Sequence, residues 1–440
     1  MKTSSLLART QTDAAIVATA DRRVRPSVVG RLGRRLLLSR LALLKAGQIR
    51  LREHGEVFSF GSVSADCPLS VDIEVLDGRF WGDVAFGGSV GAGESYIRGY
   101  WRASDLTTLI RLMVLNRHVQ ESLEGGLAIV SAPVRRLLHF ANRNTQRGSE
   151  RNIAAHYDLG NDFFELMLDR TMAYSCGIYA TEESTLEQAS IAKFDAICGK
   201  LALSPADHLV EIGTGWGGLA IHAAREYGCR VTTTTISREQ FDYASAAVQA
   251  AGLADRITLL RQDYRDLTGE YDKLVSVEMV EAVGHEFLDG YFATCSRLLK
   301  ADGAMLLQAI TLQDQYYEAA LKAVDYIQRY VFPGSFIPSV TALVGAARRA
   351  TDLKLFHLED IGPHYARTLK DWRLRLQANL PAVRKLGFND EFVRLFEFYL
   401  CYCEGGFAER QLGDVHMLFT KPLCRLRSPG SGIVPAARHP

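Results

Sequence analysis

The chain lacks the marks of several large functional classes. Its eight cysteines are scattered, with no Cys-x-x-Cys pair and no histidines at zinc spacing. That argues against a disulfide scaffold or structural zinc site, so reduced thiols and no metal are expected. No apolar run is long enough to span a bilayer, and no secretory apolar core is visible. Lys and Arg number 51 against 50 Asp and Glu, a net charge of +1. No global field therefore draws the chain to nucleic acid. The glycine-rich loop near residue 213 has no Gly-Lys-Ser/Thr, which excludes a triphosphate cradle.

What is present is ample core. The 440 residues are 48% hydrophobic and 23% charged, which suits two to three globular domains. The most informative stretch is Glu211-Ile212-Gly213-Thr214-Gly215-Trp216-Gly217-Gly218. It follows apolar Leu209-Val210 and precedes a helical pattern from Leu219 to Ala224. Strand, glycine turn and helix let a backbone press against a nucleotide-like ligand. The acid precedes the glycines, and a carboxylate there suits a cationic amino-acid ligand better than a pyrophosphate. That points to S-adenosylmethionine (SAM), with an ordinary dinucleotide fold as the competitor.

The N-terminal segment differs from the rest. Between Arg22 and Arg52 arginines are many and acids hardly present. Arg31, Arg34, Arg35, Arg40 and Lys45 interleave with Leu32, Leu36, Leu37, Leu41 and Leu44, which reads as a basic amphipathic helix. It either packs on its own domain or meets an anionic membrane; a transit peptide fits less well, given Asp13 and Asp21. From Val57 to Val84 a period-two pattern, with Val71, Ile73 and Val75, predicts a small sheet. Gly87 to Glu94 reads as a turn-rich break, and Asp105 to Asn116 as a helix capped by Ser104.

A polar stretch, Asn142 to Ser149, reads as a linker. Beyond it strands and helices alternate, as in a doubly wound parallel sheet. The strands after the glycine loop are Arg230–Ile236, Ile257–Leu260, Lys273–Val277 and Ala304–Ile310, the last entered by a turn over Leu298–Gly303.

Six ordered blocks then carry a resemblance. They are His156 to Phe164, Met172 to Cys176, Glu211 to Gly218, Gln262 to Asp266, Glu278 to His285, and Tyr399 to Phe407. Together they resemble the cyclopropane-fatty-acid synthase family of SAM-dependent methyltransferases, from about Arg151 to Lys421. Gly93-Glu94-Ser95-Tyr96 also looks like the N-terminal region of bacterial members. The resemblance implies an α/β fold. Its core is a class I methyltransferase doubly wound sheet with a helical cap insertion, joined to a smaller N-terminal α+β domain. The expected domains are residues 1–141, a catalytic domain over 142–424, and a flexible tail over 425–440.

The family's SAM contacts carry over to Tyr174 and Ser175, to Gly213 and Gly215, to Thr235 and Gln240 near the ribose, and to Asp263 and Tyr264 near the adenine. Gly217 lets the loop approach, and Glu211 faces the amino-acid end. Most class I methyltransferases carry an acid after the second strand, where this chain has Thr235 and Gln240. Thr235 as strand filler and Tyr174 as plain core are the plainer readings; otherwise the Tyr174 ring faces the sulfonium.

The resemblance also implies the chemistry. An alkene attacks the SAM methyl, and a bound bicarbonate removes a proton so that a ring closes. The bicarbonate-holding residues map to Cys176, Glu281, Ile310 and Tyr365. Cys403 matches the family's reactive cysteine and is read as shaping the pocket, while Cys401 is read as structural. Gln308 stands where a bicarbonate-binding histidine is common. Glutamine can hydrogen-bond but cannot relay a proton near neutral pH. A branch of the family carries it, including methyltransferases of the tuberculostearic-acid type. Gln308 thus leaves ring or methylene branch open, and Gln308→His is expected to be tolerated or activating if the cradle is conserved in geometry. A Glu278–Glu281 acid–base dyad is discounted, with Glu278 ordering the cofactor pocket. His156, His285 and His364 are read as structural.

The insertion before Tyr365 carries Tyr316, Tyr317, Tyr326, Tyr330, Phe332 and Phe336, which would line an apolar channel or fill an ordinary core. Drawing about nine methylenes from a bilayer into water would cost roughly 7 kcal/mol, which an apolar tunnel removes. The implied partner is a cis-unsaturated acyl chain of a membrane phospholipid. The implied place is the cytoplasmic face of an anionic membrane, with peripheral docking. The family suggests a homodimer. A catalytically silent binder and a small-molecule methyltransferase are the rival functions.

Overall fold

The computed structural model describes residues 27–119 and 159–427. The chain divides into two compact units, Met1–Ser131 and Ala132–Pro440. The linker read at Asn142 to Ser149 lies outside the described residues, as do His156 and residues 428–440.

In the first unit a helix spans Val28–Leu41, and the Ser27 hydroxyl caps it by accepting from Gly30 N. Four strands follow: β1 (Gly47–Glu53), β2 (Glu56–Ser62), β3 (Ser70–Val75) and β4 (Trp101–Ala103), in the order β2-β1-β3-β4. The period-two reading places Val71, Ile73 and Val75 inward, beside Ile49 and Leu51 of β1. The basic helix packs on its own unit. A Cβ at Gly33 would lie 2.4 Å from the Trp81 carbonyl, so the helix sits directly on that backbone. Arg34 pairs with Glu53 at 3.0 Å and Glu56 at 2.8 Å, and its guanidinium lies over Phe58 and Trp81.

Three sequence expectations change here. Gly87 to Glu94 is a break at Gly88 alone (φ 59°, ψ −142°), where two helical arms within Arg79–Ile97 meet at a kink; the turn-rich reading does not hold beyond it, where the stretch is helical. Gly91 serves close packing, because a Cβ there would lie 1.9 Å from the Asp83 carbonyl oxygen. The sheet pattern ends at Val75, and Arg79 to Val84 are helical. The helix Leu106–Leu115 is capped by Asp105, which accepts from Thr108 N, whereas the Ser104 hydroxyl accepts from Asp72 N.

The second unit is built on seven strands: β5 (His208–Ile212), β6 (Arg230–Thr235), β7 (Ile257–Arg261), β8 (Tyr271–Val277), β9 (Leu299–Leu312), β10 (Lys354–Asp360) and β11 (Leu412–Thr420). Their order is β10-β11-β9-β8-β5-β6-β7. The first five pair in parallel. Strands β10 and β11 are antiparallel additions, so the sheet is mixed, not the parallel sheet expected. The chain runs from β5 outward to β7, then returns to β8 on the other side of β5. That reversal opens a crevice at the carboxyl ends of β5 and β8.

Alternate residues feed cores on opposite faces. Val210, Leu274, Leu307 and Met417 lie in one; Leu209, Val275, Leu306 and Leu418 in the other. Strand β9 begins at Leu299, not after a turn: its register against β8 jumps between Tyr271 and Lys273, so Leu299 to Gly303 form an irregular strand entry. The cap comprises helices Asp314–Ala320, Tyr326–Tyr330 and Val340–Ala350. Its aromatic residues divide. Tyr326 is fully buried and donates to the Leu395 carbonyl, and Phe336 joins the core, whereas Phe332 faces Tyr174 and Tyr399. At the far end of the unit, Leu426 packs on the second core, inside the stretch read as tail.

Candidate active site

The loop after β5 turns on three left-handed glycines, Gly213 (φ 100°), Gly215 (φ 53°) and Gly217 (φ 92°). Gly213 N and Thr214 N both donate to the Thr234 carbonyl, which pins the loop to β6. A Cβ at Gly215 would meet open space, so backbone conformation, not crowding, demands glycine there. Glu211 is buried beneath the loop, its carboxylate accepting from the Thr233 hydroxyl at 2.5 Å. Burial pushes its pKa up to about 8, with Thr233 opposing.

The other residues assigned to the cofactor come from three segments. At the end of β6 the Thr235 hydroxyl donates to Gln240 Oε1 at 2.9 Å and accepts from Ser237 N. Thr235 is thereby tied to Gln240. After β7 the Asp263 carboxylate is held by Arg265 at 2.6 Å, and the Tyr264 ring stands edge-on to Tyr291. Tyr174 lies among Phe164 and Trp372, and its hydroxyl meets that of Tyr399 at 2.9 Å. Ser175 is buried and accepts from the buried Lys193 ammonium at 2.6 Å.

The residues assigned to the bicarbonate meet at the carboxyl ends of β8 and β9. They do not surround an open anion hole. Glu278, discounted in the sequence, reaches into the middle of them. Its Oε1 accepts from Cys176 N at 2.8 Å and from Gln308 Nε2 at 2.8 Å, and its Oε2 accepts from the Tyr365 hydroxyl at 2.5 Å. A bicarbonate there would confront a carboxylate that already holds its donors, so these residues do not fit that ion. Glu278 also sits at φ 45°, a backbone region that costs a non-glycine residue about 1–2 kcal/mol. It lies deep in the fold yet keeps partly accessible surface. Ile310, Gly213, Gly215, Tyr174 and Cys403 are likewise half-buried.

The second carboxylate is arranged differently. Glu281 Oε1 accepts from Ile310 N at 2.6 Å, while its buried Oε2 has no partner among the described residues. Burial, then the neighbouring Glu278, pushes its pKa up to about 8. Gln308 is fully buried. Its Nε2 donates to both Glu278 and Asp414, and its Oε1 meets His416 Nε2 at 3.1 Å. His416 Nδ1 lies 2.6 Å from Lys200 Nζ, which pairs with Glu359. A lysine donor on Nδ1 fixes the proton on Nε2, which fixes the amide orientation of Gln308. A histidine at 308 could not donate to two carboxylates and accept from His416 together, so Gln308→His breaks the set, contrary to the sequence expectation.

Burial raises the carboxyls of both Glu278 and Asp414, Asp414 further because Glu278 lies beside it. Glu278 accepts from three donors and Asp414, through its side chain, from Gln308 alone. The shared negative charge therefore resides on Glu278 and the proton on Asp414. Burial keeps the thiols of Cys176 and Cys403 and the phenol of Tyr365 protonated. Cys403, on the helix Asp390–Ala408, stands apart from the carboxylates, near Tyr399. Of the histidines, His364 accepts from Tyr179 N at 3.3 Å, as a structural residue would, and His285 is exposed. Asp414, His416 and Lys193 were not singled out in the sequence. Their one signal was polarity inside apolar segments.

Comparison with known proteins adds an independent line. The family model described as mycolic acid cyclopropane synthetase matches residues 144–417. Tuberculostearic acid methyltransferase UfaA1 of Mycobacterium tuberculosis is 36% identical over 336 residues, 75% of this chain and 78% of that protein. The cyclopropane-fatty-acyl-phospholipid synthase of Escherichia coli K12 is 33% identical over 368 residues, 83% of this chain and 92% of that protein. Among solved structures, mycolic acid cyclopropane synthase CmaA1 complexed with SAH and CTAB is similar with a TM-score of 0.58 at 31% identity. That match covers 62% of this chain and 98% of the other.

Proposed function

Because this chain belongs to the mycolic acid cyclopropane synthetase family, and so is a SAM-dependent methyltransferase that modifies acyl chains, we propose a specific reaction for it. It adds a methylene bridge across the cis double bond of an unsaturated phospholipid acyl chain, giving a cyclopropane fatty acid. The observation that carries this reading is the meeting of Glu278, Glu281 and Tyr365 beside the glycine loop, behind an aromatic wall.

Gly213, Gly215 and Gly217 shape the backbone against the cofactor. Glu211 takes its ammonium, Thr235 and Gln240 take the ribose, and Asp263 and Tyr264 take the adenine. Bound SAM supplies an electrophilic methyl: the alkene π pair forms the new C–C bond, and the C–S pair leaves with sulfur. The cation left on the chain needs dryness and negative charge. Tyr174, Trp372, Phe332 and Tyr399 supply the dry wall, and each aromatic face adds about 0.5–2 kcal/mol toward a cation. Gln308 and the Cys176 and Ile310 backbones fix the carboxylates in place. Burial holds Cys403 as a thiol, so it shapes the pocket.

In the same reading the protein docks peripherally on the inner face of an anionic membrane and acts as a homodimer. No helix among the described residues is long and apolar enough to cross a membrane. On the N-terminal helix Val28, Val29, Leu32, Arg31 and Arg35 are exposed, a mixed apolar and basic face suited to lipid.

A second reading, methylene or methyl branching, is favoured by Gln308 and by the likeness to UfaA1, which is named for tuberculostearic acid. Lipids from cells expressing the chain decide between them. Ring and methylene products both gain 14 mass units (about one CH2), but ozonolysis cleaves only the methylene. An ozone-resistant product heavier by about one CH2 supports the ring, whereas a saturated methyl branch resists ozone but is heavier by two further hydrogens. No added mass in any lipid would refute both.

A further inference from the structure

We propose that Glu278 is the resident general base of this enzyme, doing with a side chain what the family resemblance assigns to a bound bicarbonate. The inference rests on the acyl-methylating reading above.

Three of the donors assigned to that anion, Cys176 N, Tyr365 Oη and the side chain at 308, all point to one carboxylate, at 2.8, 2.5 and 2.8 Å. A carboxylate and a bicarbonate present the same pair of acceptor oxygens, so one set of donors serves either. Here the covalent one is in place. The backbone at Glu278, just past the end of β8, is left-handed (φ 45°), and its side chain meets Cys176 N, Gln308 and Tyr365. Strain of this kind persists only where the surroundings enforce it, and it gathers at working sites. Glu278 N is held by the Gln308 carbonyl at 2.9 Å, so residue 308 fixes both ends of the glutamate.

The remaining neighbours suit a base. Asp414 supplies a protonated partner across Gln308, and the Lys193 ammonium lies close enough to favour a negative Glu278. The step balances. A C–H bond of the newly joined methyl breaks, its electron pair forms the last ring bond to the cationic carbon, and the proton passes to Glu278. Carboxylate and cation thereby become carboxylic acid and neutral product. In the branching outcome the same carboxylate takes the proton after a hydride shift, and the pair forms a double bond.

The test compares wild type, Glu278→Gly and Glu278→Gln, with labelled SAM and vesicles of dioleoyl phosphatidylglycerol. Assays run in CO2-purged buffer, with and without added bicarbonate. Wild-type rates should agree within about twofold in the two buffers. Glu278→Gly should lose about 100-fold or more in purged buffer and recover with bicarbonate, which fills the vacated cradle. Glycine suits the left-handed backbone, so that variant should fold. Glu278→Gln, whose amide still fills the cradle, should be inactive in both buffers while keeping affinity for S-adenosylhomocysteine. Independently of turnover, carbon-13 bicarbonate titrated by NMR should bind Glu278→Gly and not wild type. Bicarbonate-dependent wild-type turnover, wild-type bicarbonate binding competed by S-adenosylhomocysteine, or an unimpaired Glu278→Gly would overturn the proposal. No label in lipid from wild type would instead refute the functional reading, and the anion titration would still decide whether Glu278 fills the cradle.

Discussion

Cofactor binding should release a proton from Glu211. In the free enzyme burial pushes this carboxyl up to about 8, against 4.5 for an ordinary glutamate. The ligand's ammonium needs the ionised form. A group with a pKa near 8 is about 1% ionised at pH 6 and about 9% at pH 7. Apparent affinity should therefore rise about tenfold per pH unit between pH 6 and 7 and level off above 8, a span near 2.5 kcal/mol. S-adenosylhomocysteine is the suitable probe, because it keeps the ammonium and is chemically stable. Calorimetry at pH 7 in two buffers of different ionisation enthalpy should show about 0.9 proton released per ligand. Glu211→Gln should abolish that release and flatten the profile. It should also cost roughly 1.5–3 kcal/mol of affinity at pH 8, the usual range for a charge-assisted hydrogen bond. Wild-type affinity that stays constant from pH 6 to 8, with no buffer dependence, would refute the placement of Glu211 against the ammonium.

Three other outcomes follow from the site and the N-terminal helix. Glu281→Gln keeps an acceptor for Ile310 N but loses the unpaired buried oxygen. Its turnover should fall by about 30-fold or more with S-adenosylhomocysteine affinity within about threefold, and near-normal turnover would remove Glu281 from the chemistry. Cys403→Ala should keep turnover within about threefold, because burial holds the thiol protonated; a loss above about 30-fold would mean that the sulfur reacts. Arg31→Glu with Arg35→Glu should weaken co-sedimentation with anionic vesicles by roughly 2 kcal/mol or more, at about 1 kcal/mol per basic residue. Arg34 is left out because its ion pairs with Glu53 and Glu56 hold the helix to its own sheet. Unchanged co-sedimentation would exclude that face as the docking surface.

What could be read from the chain alone was local. The parallel strands β5 to β9 announce themselves by apolar or β-branched runs of the right length, and the loop at Gly213 by its glycines, because both signals lie within a few consecutive residues. The failures involve partners distant in sequence. Strands β10 and β11 pair with each other across a separation of about 50 residues filled by helices, so no hairpin signal marks them. Past the kink at Gly88, the stretch to Glu94 was misread because a glycine that lets two helical arms approach closely, as Gly91 does, looks in one dimension like a glycine that makes a turn. The N-cap slipped one place, from Asp105 to Ser104, because both are capping residues, and the Asp72 backbone, 32 positions away, claims the serine.

Glu278 was hidden for a stronger version of the same reason. Its meaning depends on register across three strands. Val277 of β8 stands opposite Gln308 of β9, and Gln308 stands opposite His416 of β11. A slip of one residue would replace Gln308 by Leu307 or Ala309 and turn the polar set into the core. Taken singly, Glu278, Gln308, Asp414 and His416 are polar intrusions into apolar segments, each costly to bury alone. Taken together they satisfy one another: the amide of Gln308 joins two carboxylates, one of them protonated, to a neutral histidine. Such a set holds its geometry because removing any member leaves the others buried without partners. The fixed geometry holds a charged oxygen of Glu278 against the Tyr365 hydroxyl. A mobile anion would have to be recruited to that place in every cycle, whereas a side chain locked by register is there before substrate arrives.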